Sequence, residues 1–243
     1  MELSGRRALV TGAGVRLGRE LALALADAGC AVALHHWRSS AGAEETAAEI
    51  NARGGRAVPL RYDLSVPEVC AALIAAARQQ LGGLDILVNN AALFLPGELA
   101  TTTVEAWDAQ LALNLRAPFL LAQAFAGGLP REARAKIVNV TDARVRRPAR
   151  GHLAYRVSKA ALIHLTELLA LELAPRVTVN AVAPGAMLPP PGEGDGELGR
   201  RVAAGVPLGR AGGAAPLVAA VLFLLREDFA TGVVLPVDGG EYL

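Results

Sequence analysis

The stretch "LVTGAGVRLGRELALALADAG", residues 9–29, decides the fold. An apolar run leads into Gly12, Gly14 and Gly18, then into a segment whose apolar residues recur at helical spacing. This is the pattern of a buried strand, a tight turn and a helix. The turn departs from the G-x-G-x-x-G dinucleotide fingerprint, because Leu17 stands where the third glycine would fall. Arg16, a bulky cation, lies inside it. Gly12 and Gly18 still permit close backbone approach, and the helix would offer its first amides to a phosphate.

Outward from this unit the same alternation repeats. Strands are predicted at 7–11, 31–35, 57–61, 85–89, 136–140, 177–182 and 232–237, with helical segments such as 16–28, 66–81 and 153–174 between them. Continuous apolar, β-branched runs suit strands buried on both faces of a parallel sheet. Strand–helix alternation predicts a single doubly wound α/β domain over 1–243, with right-handed crossovers. "PPPGEGDGE", 189–197, is too rich in proline and glycine for a regular element, and 186–200 is expected to be a mobile substrate loop.

Composition narrows the partners. The chain has 243 residues, 53% of them hydrophobic, and a formal net charge of +1, which gives no reason to expect nucleic acid or an anionic membrane. No apolar run is long enough to span a bilayer, and no signal-peptide pattern opens the sequence. Cys30 and Cys70 form neither a metal-like cluster nor a disulfide framework, so a cytoplasmic protein with reduced cysteines and no metal is expected. Only Lys136 and Lys159 are lysines, against 22 arginines, so a lysine inside a motif carries information.

In a doubly wound sheet the ligand lies beyond the carboxyl ends of the strands. A site that reads a free ribose 2′-hydroxyl usually closes its second strand with an acid. Here that strand runs into "HHWRSS", with no acid before Glu44. Arg38 can fork onto a phosphate and Ser39 and Ser40 can donate hydroxyls, which favours NADP over NAD; a solvated loop arginine is the competing reading. Asp63 in "YDLS" suits either an adenine amino group or a helix cap. "LVNNAA", 87–92, ends its strand in amides and small residues, which lets a cofactor ring lie close to backbone.

"YRVSK" sets Tyr155 and Lys159 four apart, on one helix face. A phenol with a pKa of about 10 exchanges protons poorly near neutrality, and a lysine cation one turn away would lower it. Asn114, inside an apolar helix, is either a structural hydrogen-bonding group or the anchor of a water bridge toward Lys159.

With "TGAGVRLG", "NNAA", Asn114, "YRVSK", "NAVAPG" (180–185) and "VDGG" (237–240), the chain resembles the short-chain dehydrogenase/reductases over essentially its whole length. Two departures from the usual pattern stand out. Arg16 replaces a glycine, and Asp142 in "VNVTDA" replaces a serine; both resemble the pteridine reductases, as do "LHHWRS" and "NNAALFLP". "GAML", 185–188, lacks the hydroxyl residue that many relatives carry after Pro-Gly, which puts a phosphate contact there in doubt.

The resemblance implies NADPH held along Gly12, Arg16, Leu17 and Gly18, then Trp37, Arg38 and Ser39, then Asp63, Leu64, Asn90 and Ala91. Tyr155, Lys159, Pro184 and Gly185 complete that path. It implies Asp142, Tyr155, Lys159 and Asn114 as catalytic residues. Arg16, Phe94, Asp142 and Tyr155 would meet a pterin or folate, with Phe94 stacking on the ring; simple core filling by Phe94 and a pyrophosphate contact or salt bridge by Arg16 are the alternatives. Lys159 and Arg16 would offset the charge of Asp142. Arg144, Arg146, Arg147 and Arg150 would be solvated, make subunit contacts, or grip an anionic substrate tail. A homotetramer is also implied. A ketone reductase and a non-catalytic NADP sensor are the rival functions.

Overall fold

The computed structural model describes residues 1–189 and 195–243. Seven parallel strands, β1 (Arg7–Val10), β2 (Ala31–His36), β3 (Arg56–Arg61), β4 (Ile86–Asn89), β5 (Ala135–Val140), β6 (Val177–Pro184) and β7 (Val234–Val237), form one sheet. Their order is β3-β2-β1-β4-β5-β6-β7. All seven expected strands are present, and the doubly wound α/β class is the observed one.

Alternate residues of the central strands feed opposite cores, as a pleat requires. Ala8 and Val10 of β1 pack with α1 (Arg16–Asp27), α2 (Ser40–Ala52) and α8 (Ala215–Arg226). Leu9, between them, packs on the other face with α3 (Pro67–Leu81), α5 (Ala117–Gly127) and α6 (Leu153–Leu173). Burial on both faces explains why the strands read as unbroken apolar runs. The order reverses between β1 and β4, so the turns after these strands splay apart and leave a crevice at the carboxyl edge.

Two local features differ from expectation. α4 (Val104–Leu111) joins α5 through a single π-helical turn, Ala112–Arg116, that contains Asn114. And α7 spans Asp195–Gly205, so the second part of the presumed 186–200 loop is helical. Ala186, Met187 and Leu198 are buried, because apolar residues flanking the Pro/Gly run dock onto the body. The centre of that run, 190–194, lies outside the described residues.

Candidate active site

The crevice is a cleft of about 460 Å³ at the carboxyl edge of the sheet, within the size range of small-molecule sites. Its floor begins at the glycine turn. Gly12 has φ +65°, and a methyl group on Gly18 would overlap the Gly12 carbonyl oxygen, so α1 starts against bare backbone. Arg16 also adopts a left-handed backbone, φ +56°, and faces the cleft. No side chain caps α1, and its first turn holds no acid, which leaves its leading amides open to an anion.

Two polar clamps fix this turn. The Thr11 hydroxyl accepts from the backbone N–H groups of Asn90 (2.9 Å) and Ala91 (3.0 Å), and the Asn90 amide donates to the carbonyl of Thr11 (2.8 Å). From the other side, His35 Nδ1 accepts the Gly12 N–H at 3.1 Å while Nε2 meets the Tyr62 carbonyl at 3.0 Å. Burial draws the His35 pKa down to about 4 against the pull of that carbonyl, so the ring stays neutral and can accept. Beside it, His36 Nδ1 is buried with no protein partner among the described residues, and His36 lines the cleft.

Most residues expected along the cofactor path line this cleft: Gly12, Arg16, Leu17, Gly18, Trp37, Ser39, Asp63, Leu64, Asn90, Ala91, Tyr155, Lys159 and Pro184. Arg38 is exposed outside the lining, and Gly185 packs on Asp238. Asp63 accepts from the N–H and hydroxyl of Ser65, closing the turn before α3 rather than capping the helix itself, whose N-cap is Val66.

At the far end, β5 delivers Asp142 and α6 delivers Tyr155. The Tyr155 hydroxyl donates to Asp142 Oδ2 at 3.0 Å. Phe94 stands edge-on to Tyr155, ring centroids 4.6 Å apart, and stacks on His152 at 4.0 Å. Phe94 is not core: it is 43% exposed and lines the cleft.

The expectations for Arg144, for the counter-charge of Asp142 and for the Tyr155 pKa need correction here. Arg144 was expected among solvated, subunit-contacting or tail-gripping arginines, yet it forks onto Asp142, with Nη2 at 2.7 Å from Oδ2 and Nε at 3.1 Å from Oδ1. Burial opposes ionisation of Asp142, but this fork, the Arg144 N–H and the Tyr155 hydroxyl hold its pKa below the ordinary value. Arg144, rather than Lys159 or Arg16, is therefore its principal counter-charge.

The Tyr155 pKa is not lowered as expected: burial, and then the Asp142 charge, raise it well above 10 against the pull of Arg144 and Arg156, so the resting phenol is protonated. Lys159 Nζ instead donates to the Val140 carbonyl at 2.7 Å. Asn114 bonds to the N–H and carbonyl of Leu93 (2.8 and 2.9 Å) and to the Ser158 hydroxyl (3.0 Å), which is the structural role expected of it as one alternative. Of the other arginines, Arg146 lies over Tyr242 and Arg147 donates to the Leu243 carbonyl. His35, His36, Thr141, Arg144 and His152 were not singled out individually from sequence; two histidines closing a buried strand in "HHWRSS" were the available signal.

Known proteins bear on this geometry. Residues 12–241 match the family model described as enoyl-(acyl carrier protein) reductase. The structure of FolM alternative dihydrofolate reductase 1 from Brucella canis, complexed with NADP, superposes with a TM-score of 0.95 at 33% identity, covering 99% of this chain and 95% of that one. L-xylulose reductase from Bos taurus is 36% identical, over 99% of this chain and 98% of its own. The 3-oxoacyl-[acyl-carrier-protein] reductase of a Synechocystis strain is 33% identical, over 98% and 97% respectively.

Proposed function

Because this chain belongs to the short-chain dehydrogenase/reductase family, we propose that it is an NADPH-dependent reductase of a pterin or dihydrofolate-like substrate. The observation that carries this reading is Asp142, a carboxylate where the family pattern has serine, bonded to Tyr155 with Phe94 at the same wall. The likeness to FolM supports it.

The residues fit a dinucleotide. Gly12 and Gly18 leave backbone bare where a side chain would intrude, the α1 amides are open, and His36 Nδ1 is a buried polar atom awaiting a partner. Arg16, Trp37 and Ser39 would hold the phosphate-bearing end, with Arg38 the cation at the rim. When bound, the reduced nicotinamide supplies a hydride. Tyr155 holds the proton that must reach a ring nitrogen, Asp142 orients the phenol, and Phe94 offers a ring face. Asn114 acts at one remove, by tying Leu93 and hence the Phe94 segment to α6.

A ketone substrate is the second reading. It is favoured by the ionised state of Asp142, since a ketone needs a proton only from Tyr155, and by the names of the xylulose and 3-oxoacyl relatives. Both readings are tested by NADPH oxidation with dihydrobiopterin, dihydrofolate and a ketone panel. The expected result is pterin or dihydrofolate turnover, with NADPH bound about tenfold or more tightly over NADH, the value of one charge-assisted phosphate contact. Turnover of ketones alone would favour the second reading. No turnover of any substrate would leave the sensor.

A further inference from the structure

We propose that Arg144 is a positioning residue of this site: its guanidinium fork holds Asp142 as a fixed anionic acceptor for the Tyr155 hydroxyl. The proposal rests on reading Asp142 and Tyr155 as the reacting pair, and it holds for either substrate class.

The geometry is specific. Asp142 precedes a short 3₁₀ turn, Ala143–Arg146, and its Oδ1 accepts the Arg144 N–H at 2.8 Å as well as Nε at 3.1 Å. Oδ2 accepts both Arg144 Nη2 and the Tyr155 hydroxyl. Backbone and side chain of one residue thus hold both carboxylate oxygens, and the remaining acceptor position aims at the phenol. Planar, paired donors impose this orientation, which a lysine ammonium cannot reproduce.

The fork is itself anchored. Arg156 Nη1 donates to the carbonyls of Arg144 (3.0 Å) and Arg147 (3.3 Å), and Arg147 donates to the Leu243 carbonyl at 2.6 Å. The guanidinium carbon also lies 5.9 Å from the Phe94 ring centre, so one cation borders both the carboxylate and the aromatic wall.

Other charged and titratable groups face this cluster without replacing the fork. From α6 come Tyr155, Arg156 and Lys159, the last committed to Val140, with His152 at its N-cap lining the same pocket; Glu241, after β7, acts on Arg144. With an unpaired carboxyl, burial would favour protonation, and a protonated Asp142 would be a weaker acceptor for the phenol and could donate to it instead.

The test titrates Asp142 by ¹³C NMR in the cofactor-free protein, its signal assigned by Asp142→Asn, and follows the pH profile of kcat/KM on whichever substrate turns over. Wild type, Arg144→Gln and Arg144→Lys are compared. In Arg144→Gln, the Asp142 titration and the acidic limb of the profile should both move up by about 1–3 pH units, the effect of losing an adjacent cation. Arg144→Lys should fall between. An unmoved Asp142 titration in folded Arg144→Gln would overturn the proposal, as would a moved titration with an unmoved acidic limb. Should Arg144→Gln fail to fold, Arg144→Lys alone decides, by whether its titration lies above wild type. Because the NMR titration uses no substrate, it separates this proposal from the pterin reading. A moved titration without pterin turnover would retain Arg144 and discard the pterin.

Discussion

Burial draws the Lys159 pKa from 10.5 to about 8, against the attraction of Asp142, and this gives the fold a testable pH dependence. Between about pH 8 and 10.5 the unfolded chain keeps a proton that the folded protein has lost, so stability rises with pH across that window. Relative to Lys159→Met, the wild type should therefore gain unfolding free energy from pH 8 to 10.5 in denaturant titrations; a flat difference would contradict the assignment. Gly18 makes a second prediction. Its added methyl would meet the Gly12 carbonyl, so Gly18→Ala should cost about 1–3 kcal/mol and abolish tight NADPH binding, read by fluorescence titration. The turn glycines and the Tyr155–Lys159 spacing were legible in sequence because steric and helical constraints fix them locally. Arg144 was not. "ARVRRPAR" offers four arginines, and only the 3₁₀ turn decides which one folds back onto Asp142.

Among the elements, the strands were read closely because parallel strands buried on both faces leave a continuous apolar signature. Where packing overrides local composition, the reading failed. Asp195–Glu197 belongs to α7 although glycines flank it, and Leu198 in the same helix is buried. The π-helical turn around Asn114 was also invisible, since its residues carry no mark of a change in hydrogen-bond register. That turn sits where Asn114 spans Leu93 and Ser158, coupling the segment after β4 to α6. Asn114→Ala would leave the N–H and carbonyl of Leu93 without this partner. The expected cost is about 2–4 kcal/mol, seen as a lower urea midpoint in the cofactor-free protein. Loss of turnover with unchanged stability would instead assign Asn114 a direct chemical role.

For the molecule as a whole, part of the apolar surface that the cores leave uncovered lies on α4, α5 and α6. Phe119 and Leu168 are partly exposed, and Leu171 is 78% exposed. Leu111, Leu115, Phe119 and Leu165 line a groove of about 810 Å³ there. A surplus of this kind suits a subunit interface, and we predict a tetramer at micromolar concentration that Phe119→Glu splits into smaller species by sedimentation velocity; a wild-type monomer would refute it. The overall architecture was legible because strand–helix alternation implies a parallel, doubly wound sheet, whereas the strand order came from the structure and the chemistry depends on which groups the carboxyl edge brings together. Asp142 tests that chemistry most directly. The decisive measurement is the ratio of pterin to ketone kcat/KM in wild type and Asp142→Ser, with NADPH affinity followed in parallel. The account predicts pterin turnover reduced about 10²–10⁴-fold, the usual range for lost proton-transfer assistance, with NADPH affinity retained and any ketone reduction lowered far less, because a serine hydroxyl can also accept from Tyr155. Pterin turnover unchanged by Asp142→Ser, or undetectable in wild type, would contradict it.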